Sequence, residues 1–189
     1  MERRLNNGSE AMDWDALRRI VTEKGADGRS SVAIDGGPAK LLAVEEGGLA
    51  EIWAAALTAS ALHAGEDRLA NEDVRLEPAK GAVKVRWFTV PAEDETKSAE
   101  EKEAMAAFGF AAAGASHARV RVSRHPMMHE TDTLDVIILV RGEVDLLLDD
   151  GEAKAMKPGD VVIQRATNHA WVNRGKETAL LVAVLMNGA

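Results

Sequence analysis

Two histidines and a carboxylate are the residues of this chain whose types and spacing could do chemistry together. His129, Thr131 and Asp135 share side-chain parity at the head of an apolar run, Asp135-Val136-Ile137-Ile138-Leu139-Val140. Alternate side chains of a strand face the same way, so these three can project to one face. His169 lies 34 residues beyond Asp135, between turn residues and another short run. If the two strands are neighbours, the four polar groups converge. Two imidazoles and one carboxylate are the ligand set of a facial triad. That set suits Fe(II), leaves positions open for substrate or oxygen, and can equally hold Mn, Ni, Cu or Zn. A second chemistry needs no metal: Asp135 beside an imidazole is an acid/base dyad for proton transfer or isomerisation. A third outcome is a polar-lined pocket that binds or senses a small molecule without turning it over.

These residues need a β-scaffold, and the surrounding pattern supplies one. Asp135–Val140 is apolar on both faces, so it must be covered on both. Gly142 permits a bend, Glu143-Val144-Asp145-Leu146-Leu147-Leu148 returns, and Asp149-Asp150-Gly151 is a hairpin turn. Lys154-Ala155-Met156, a Pro158-Gly159-Asp160 turn, Val161-Val162-Ile163, His169 to Asn173 and Ala179 to Met186 complete a series of short strands. Arg119-Val120-Arg121-Val122 alternates and predicts a further strand. Such a series means a sandwich or barrel.

Upstream, the pattern is sparser. Asp13 to Arg19 predicts one short helix capped by Asp13. Arg19–Thr22 and Ser31–Ile34 flank a Gly-containing break and read as a hairpin. Glu51–Ala55 and Val83–Val90 predict strands, the second ended by Pro91. Thr58 to Asn71 has no decisive period. Ala92 to Ala107 is rich in charge and helix formers, which predicts a helical insertion, either a solvated face or a lid over the barrel mouth. The expected division is a flexible leader at 1–12, strands and the insertion packing on the barrel at 13–117, and the barrel core at 118–189.

Composition excludes several classes. The chain of 189 residues is 46% hydrophobic, enough for one ordinary domain. No run approaches the roughly 20 apolar residues that span a bilayer. Met1 to Gly8 has no apolar stretch behind it, so no secretory signal is read and the expected location is cytoplasmic. With no cysteine, disulfide frameworks, thiol catalysis and Cys-ligated zinc drop out. A net charge of −8 and 4% aromatic content argue against a nucleic-acid partner. The expected partner is a small molecule, and no membrane.

The motifs now bear a resemblance. His129-Glu130-Thr131, three residues, Asp135, six residues, Gly142 resembles the first cupin motif, G-x5-H-x-H-x3-4-E-x6-G. Gly159, then Gln164-Arg165-Ala166-Thr167-Asn168-His169 and Asn173, resembles the second, G-x5-P-x-G-x2-H-x3-N. The likeness is to small single-domain bacterial cupins with RmlC-like barrels, in a subgroup carrying H-x-T-x3-D and Q-R-x-T-x-H-A-W-x-N, and it covers residues 118–187. It implies an all-β, double-stranded β-helix (jelly-roll-like) barrel, a homodimer, and a divalent metal ion (Fe, Mn, Ni or Zn) held by His129, Asp135 and His169. It also implies an enzyme acting on a small organic acid or carbonyl compound by oxygenase, lyase or isomerase chemistry. The departures are specific. Thr131 stands where the pattern has a second His, and becomes a pocket hydroxyl. Asp135 is one methylene shorter than the pattern's Glu. Gln164 and Ala166 replace Pro and Gly, and the motif is one residue short. Gln164 could turn inward toward metal or substrate. Trp171 shares parity with His169 and is expected to line the pocket with Ile137, Leu139, Val144 and Leu146. His117 and His125 have no motif position and are read as surface or loop residues.

Overall fold

The computed structural model describes residues 12–44, 47–58 and 67–188. All but the last residue of the expected leader lies outside that range, as does most of the undecided stretch after Thr58. The elements in chain order are β1 (Arg19–Lys24), β2 (Ser30–Gly36), β3 (Lys40–Val44), β4 (Gly47–Ala56), β5 (Ala82–Val90), α1 (Ala99–Ala112), β6 (Thr133–Arg141), β7 (Val144–Leu148), β8 (Lys154–Met156), β9 (Val161–Arg165), β10 (His169–Val172) and β11 (Ala179–Asn187). The short helix expected after Asp13 is one 3-10 turn, Trp14–Ala16, with the Asp13 carboxylate accepting from the Asp15 amide.

The strands form a six-stranded sheet in the order β3-β4-β5-β11-β6-β9, a three-stranded sheet β10-β7-β8, and the separate β1-β2 hairpin. The two larger sheets face each other. Ile137, Leu139, Leu181, Ala183 and Leu185 from one pack with Val144, Leu146, Met156 and Trp171 from the other in a single buried cluster. This is the all-β jelly-roll arrangement, with the sheets stacked as two layers rather than closed into one continuous ladder. Burial along β6 alternates as the pleat demands: Thr133, Asp135, Ile137 and Leu139 face in, while Leu134 and Val140 are exposed.

The 13–117 segment does not merely lean on this core. β5 pairs with β11 over its whole length, from Ala179↔Val90 to Met186↔Val83, and β4 pairs with β5. The upstream strands β3, β4 and β5 therefore build half of the large sheet, and their inward residues reach the same interior as those of β6. The bend between β6 and β7 needs glycine. Gly142 has φ +89°, and a Cβ there would meet Ala179 atoms at 2.8 and 2.9 Å.

One expected strand is absent. Arg119–Val122 forms no ladder and follows a 3-10 turn at Ser116–Ala118. Its arginines are engaged by side chains instead: Arg119 donates to Glu103 and the Pro126 carbonyl, and Arg121 to Glu130 and Asp149. Alternation there marks an amphipathic segment and not one that pairs with a neighbouring strand.

Candidate functional site

His129 and His169 meet because their backbones do. The two residues form an isolated antiparallel bridge with reciprocal N–H···O bonds of 2.9 Å. Directly opposed residues of an antiparallel pair place their side chains side by side on one face. The ring centroids are 4.2 Å apart at an interplanar angle of 47°. His129 Nδ1 lies 3.0 Å from the Met127 carbonyl, and His169 Nδ1 lies 2.9 Å from the Thr167 carbonyl. A carbonyl only accepts, so each Nδ1 carries the hydrogen and each Nε2 keeps its lone pair. Burial pushes both imidazoles toward the neutral form. His169 is lowered to about 3 by desolvation and then by the neighbouring His129, against the Thr167 hydrogen bond. His129 is lowered by desolvation, against its Met127 hydrogen bond.

An aromatic frame surrounds the pair. Phe110 packs on His129 at 4.9 Å, Trp171 meets His169 edge-on at 5.3 Å, and Phe88 lies 6.5 Å from Trp171. These side chains border a cavity of about 330 Å³ that also takes in Leu42, Leu49 and Ile137. Helix α1 roofs it with Met105, Ala106, Gly109 and Phe110. The helix starts at a full capping box: the Ser98 hydroxyl accepts from the Glu101 amide, and the Glu101 carboxylate accepts from the Ser98 amide. The charged insertion thus borders the cavity through Met105 and Ala106 on one turn and Gly109 and Phe110 on the next.

Asp135 borders the same cavity, on the other sheet. His129 has left the large sheet to pair with β10, whereas Asp135 sits within β6, flanked by Leu185 and Gln164. Burial raises its pKa to about 6, opposed by the Thr133 hydroxyl and the Arg86 charge. Its Oδ1 is buried without a hydrogen-bond partner, which is the kind of acceptor a cation would satisfy. Two neutral imidazoles this close suit one ion in donor type. Yet among the described residues no three His, Cys, Asp or Glu side chains group closely enough to hold an ion. Two members of the expected triad converge; the third faces them from across the interior.

Thr131 and Gln164 stand off the cavity wall. Thr131 is buried against the Thr133 hydroxyl at 2.7 Å. Gln164 donates to the Thr167 carbonyl at 2.8 Å and to its hydroxyl, bracing the turn that delivers His169. In that turn Ala166 has φ +45°, so the backbone keeps the left-handed bend that the family pattern assigns to glycine. Trp171 and Ile137 line the cavity as expected, while Leu139, Val144 and Leu146 belong to the core behind it.

The upstream strands bring charges that the motifs do not mention. Glu51, Lys84 and Arg86 are each buried, and Arg86 borders the cavity. Arg86 Nη2 donates to Glu51 at 2.8 Å and to the Arg75 carbonyl, and Lys84 Nζ donates to the same carbonyl at 2.9 Å. Burial pushes Glu51 up and both cations down. The only sequence signal was a Lys and an Arg at inward parity in Val83–Val90. His125, read as a loop residue, also borders the cavity, held by Glu93 at 3.1 Å, and Glu93 in turn accepts from Lys102 of α1 at 3.2 Å.

Comparisons with known proteins agree with the cupin likeness and are partial. No protein-family model matches the chain. Phomopsin biosynthesis cluster protein C′ of Diaporthe leptostromiformis is 47% identical over 55 residues, 29% of each chain. A cupin-domain-containing oxidoreductase of Neurospora crassa is 50% identical over 46 residues, 24% of each. The matched stretch thus spans less than a third of these relatives. Among solved structures, a Cupin 2 conserved barrel domain protein of Salinispora arenicola aligns at 16% identity over 56% of this chain and 63% of that one, with a TM-score of 0.35. Likeness at that level says nothing of ligands. No helix among the described residues is long and apolar enough to cross a membrane.

Proposed function

We propose that the chain is a cupin-type enzyme whose cavity takes a small, largely apolar organic acid or carbonyl compound and acts on its oxygen-bearing group at His129 and His169. The observation that carries this reading is the imidazole pair itself. Each Nδ1–H is tied to a backbone carbonyl, and each Nε2 lone pair is left over, under a helical lid. Such rings are fixed in tautomer and orientation before any ligand arrives. His169, with a pKa of about 3, is a neutral imidazole near neutrality with its one hydrogen on Nδ1, so its Nε2 serves as an acceptor or ligand and not as a proton store. The aromatic and aliphatic walls suit an apolar body and exclude water. The names of relatives that are cupin-domain-containing oxidoreductases support an enzyme.

The partnerless Oδ1 of Asp135 favours a narrower second reading. In it His129 and His169 hold a divalent ion, Asp135 is the third ligand, and the ion polarises the substrate oxygen as a Lewis acid. A cytoplasmic homodimer belongs to the same proposal. Leu134, Val140, Val161 and Ile163, exposed on the outer face of β6 and β9, support a second copy there.

Two measurements test these readings. Elemental mass spectrometry after loading with Fe(II), Mn(II), Ni(II) or Zn(II) should find near-stoichiometric metal in the parent and none in H129A/H169A if an ion is held; a parent that stays empty removes the metal reading. Thermal shifts with a panel of small carboxylic acids and ketones should find compounds that raise the Tm. Stabilisation without turnover would replace the enzyme by a binding module, and no stabilisation at all would end the cavity reading.

A further inference from the structure

We infer that Gly109 of α1 sets how large an apolar body the cavity takes: the side chain it lacks leaves the space into which the ligand's hydrocarbon part extends, so the site accepts carbonyl compounds that carry a ring with a side arm. The inference rests on the reading of the cavity as a small-molecule site and deepens it.

The residues of α1 and its C-cap that border the cavity are Lys102, Met105, Ala106, Gly109, Phe110 and Ala113. Spacings of three and four place them on one face of the helix. At about 100° per residue, Gly109 falls about 30° from the middle of that face. A Cβ on Gly109 would therefore point toward the cavity. Beyond the helix's own backbone it would meet nothing within 4 Å. Its neighbours on the face differ: Ala106 and Ala113 are 3% and 4% exposed, so their methyls are already packed. Helix formation does not ask for glycine here. It is the poorest helix former after proline, and alanine fills six of the 14 positions of α1. The needs that account for Gly142, a positive φ and a close approach, are both missing at Gly109. What the missing methyl leaves is open space on the cavity side. Phe110, the next residue, packs on His129 at 4.9 Å, so Gly109 lies one residue from the contact with the imidazole pair. Phe88, Ile137 and Trp171 border the same cavity and make it suit a hydrocarbon body.

Isothermal titration calorimetry with cyclohexanone, acetophenone, propiophenone and butyrophenone tests this in the parent, G109A and G109V, beside thermal unfolding of each without ligand. G109A should raise the Tm by about 2–4 °C, because the helix gains an alanine that strikes nothing. The same variant should bind butyrophenone about 4-fold more weakly, the worth of one buried methylene, and G109V about 10- to 60-fold more weakly. Cyclohexanone should stay within ~2-fold of its parent affinity in both variants. Higher stability together with weaker binding of the larger ketones is a result that a packing role for Gly109 does not produce. If G109V does not fold, G109A and the parent decide. A lower Tm for G109A, meaning that the methyl strikes a wall, overturns the inference. So does binding that is unchanged along the series, or a loss equal for cyclohexanone and butyrophenone. Each of those leaves the cavity reading standing. If no ketone binds the parent, both fall together.

Discussion

The cavity has two polar centres, and they are built in opposite ways. His129 and His169 are neutral, joined by their own backbone bridge, and each is satisfied by a carbonyl two residues earlier in the chain. Glu51, Lys84 and Arg86 are charged, come from two strands far apart in sequence, and leave Glu51 Oε2 and two Arg86 nitrogens unmatched. In the first centre each ring's hydrogen bond is local, and a backbone bridge between distant segments brings the two rings together. The second exists only because β4 and β5 lie side by side within the large sheet. A pair satisfied locally tolerates burial at little cost. A charged cluster tolerates it only while every member is present.

The largest effect expected from this contrast is at the charged centre. Glu51→Ala strands two buried cations and should cost about 3–5 kcal/mol in urea unfolding, whereas E51Q/R86Q should recover most of that loss. If Glu51→Ala costs under ~1 kcal/mol, the cluster is wet and the contrast breaks.

Asp135 borders the same cavity and gives the next effect. Its folded pKa, about 6, stands above the ordinary 3.8, so the folded state binds the extra proton. Stability from this group is complete below pH ~4 and is lost as pH rises through about 6. Asp135→Asn should therefore raise stability by roughly 2–3 kcal/mol at pH 7.5 and change it little at pH 4. The imidazole pair runs the other way. Both pKa values are depressed, so the unfolded chain takes up protons first and stability falls as pH drops from the unfolded value of ~6.5 toward about 3. Unfolding curves across pH that show no gain for Asp135→Asn at pH 7.5 would mean the carboxylate is solvated or already paired.

The smallest effect concerns the turn that carries His169. Ala166 at φ +45° sits where an L-residue is strained by about 1 kcal/mol. Ala166→Gly should relieve most of that, offset by the wider unfolded ensemble of glycine at about 0.4–1 kcal/mol, for a net gain of at most about 0.5 kcal/mol. A loss of stability would mean the turn relaxes out of the left-handed region.

Much of the first centre was legible in the sequence. The His129 and His169 positions, the Gly142 bend and the Gln164–Thr167 turn sit inside short motifs whose spacing is itself the structure. Their partners are neighbours along the chain, and strand alternation assigns the inward face. Trp171 followed from the same parity. The strand expected at Arg119–Val122 failed because alternation reports an amphipathic segment and not the presence of a neighbour to pair with. His125 has no motif position, yet the loop before His129 folds it back to Glu93.

What the sequence by itself determined is therefore the β-architecture, its turns, and the residues that turn inward on each strand, since period and turn chemistry are local properties. Tertiary structure alone decided that His129 leaves the large sheet for β10 while Asp135 stays in β6, so that two of three expected ligands meet. It alone decided that α1 covers the cavity and that Arg86 borders it. Those outcomes depend on which strands become neighbours and on how two sheets face each other. These are contacts between residues tens of positions apart, and strand periodicity, which fixes a side chain's face, carries no information about the partner across the interior.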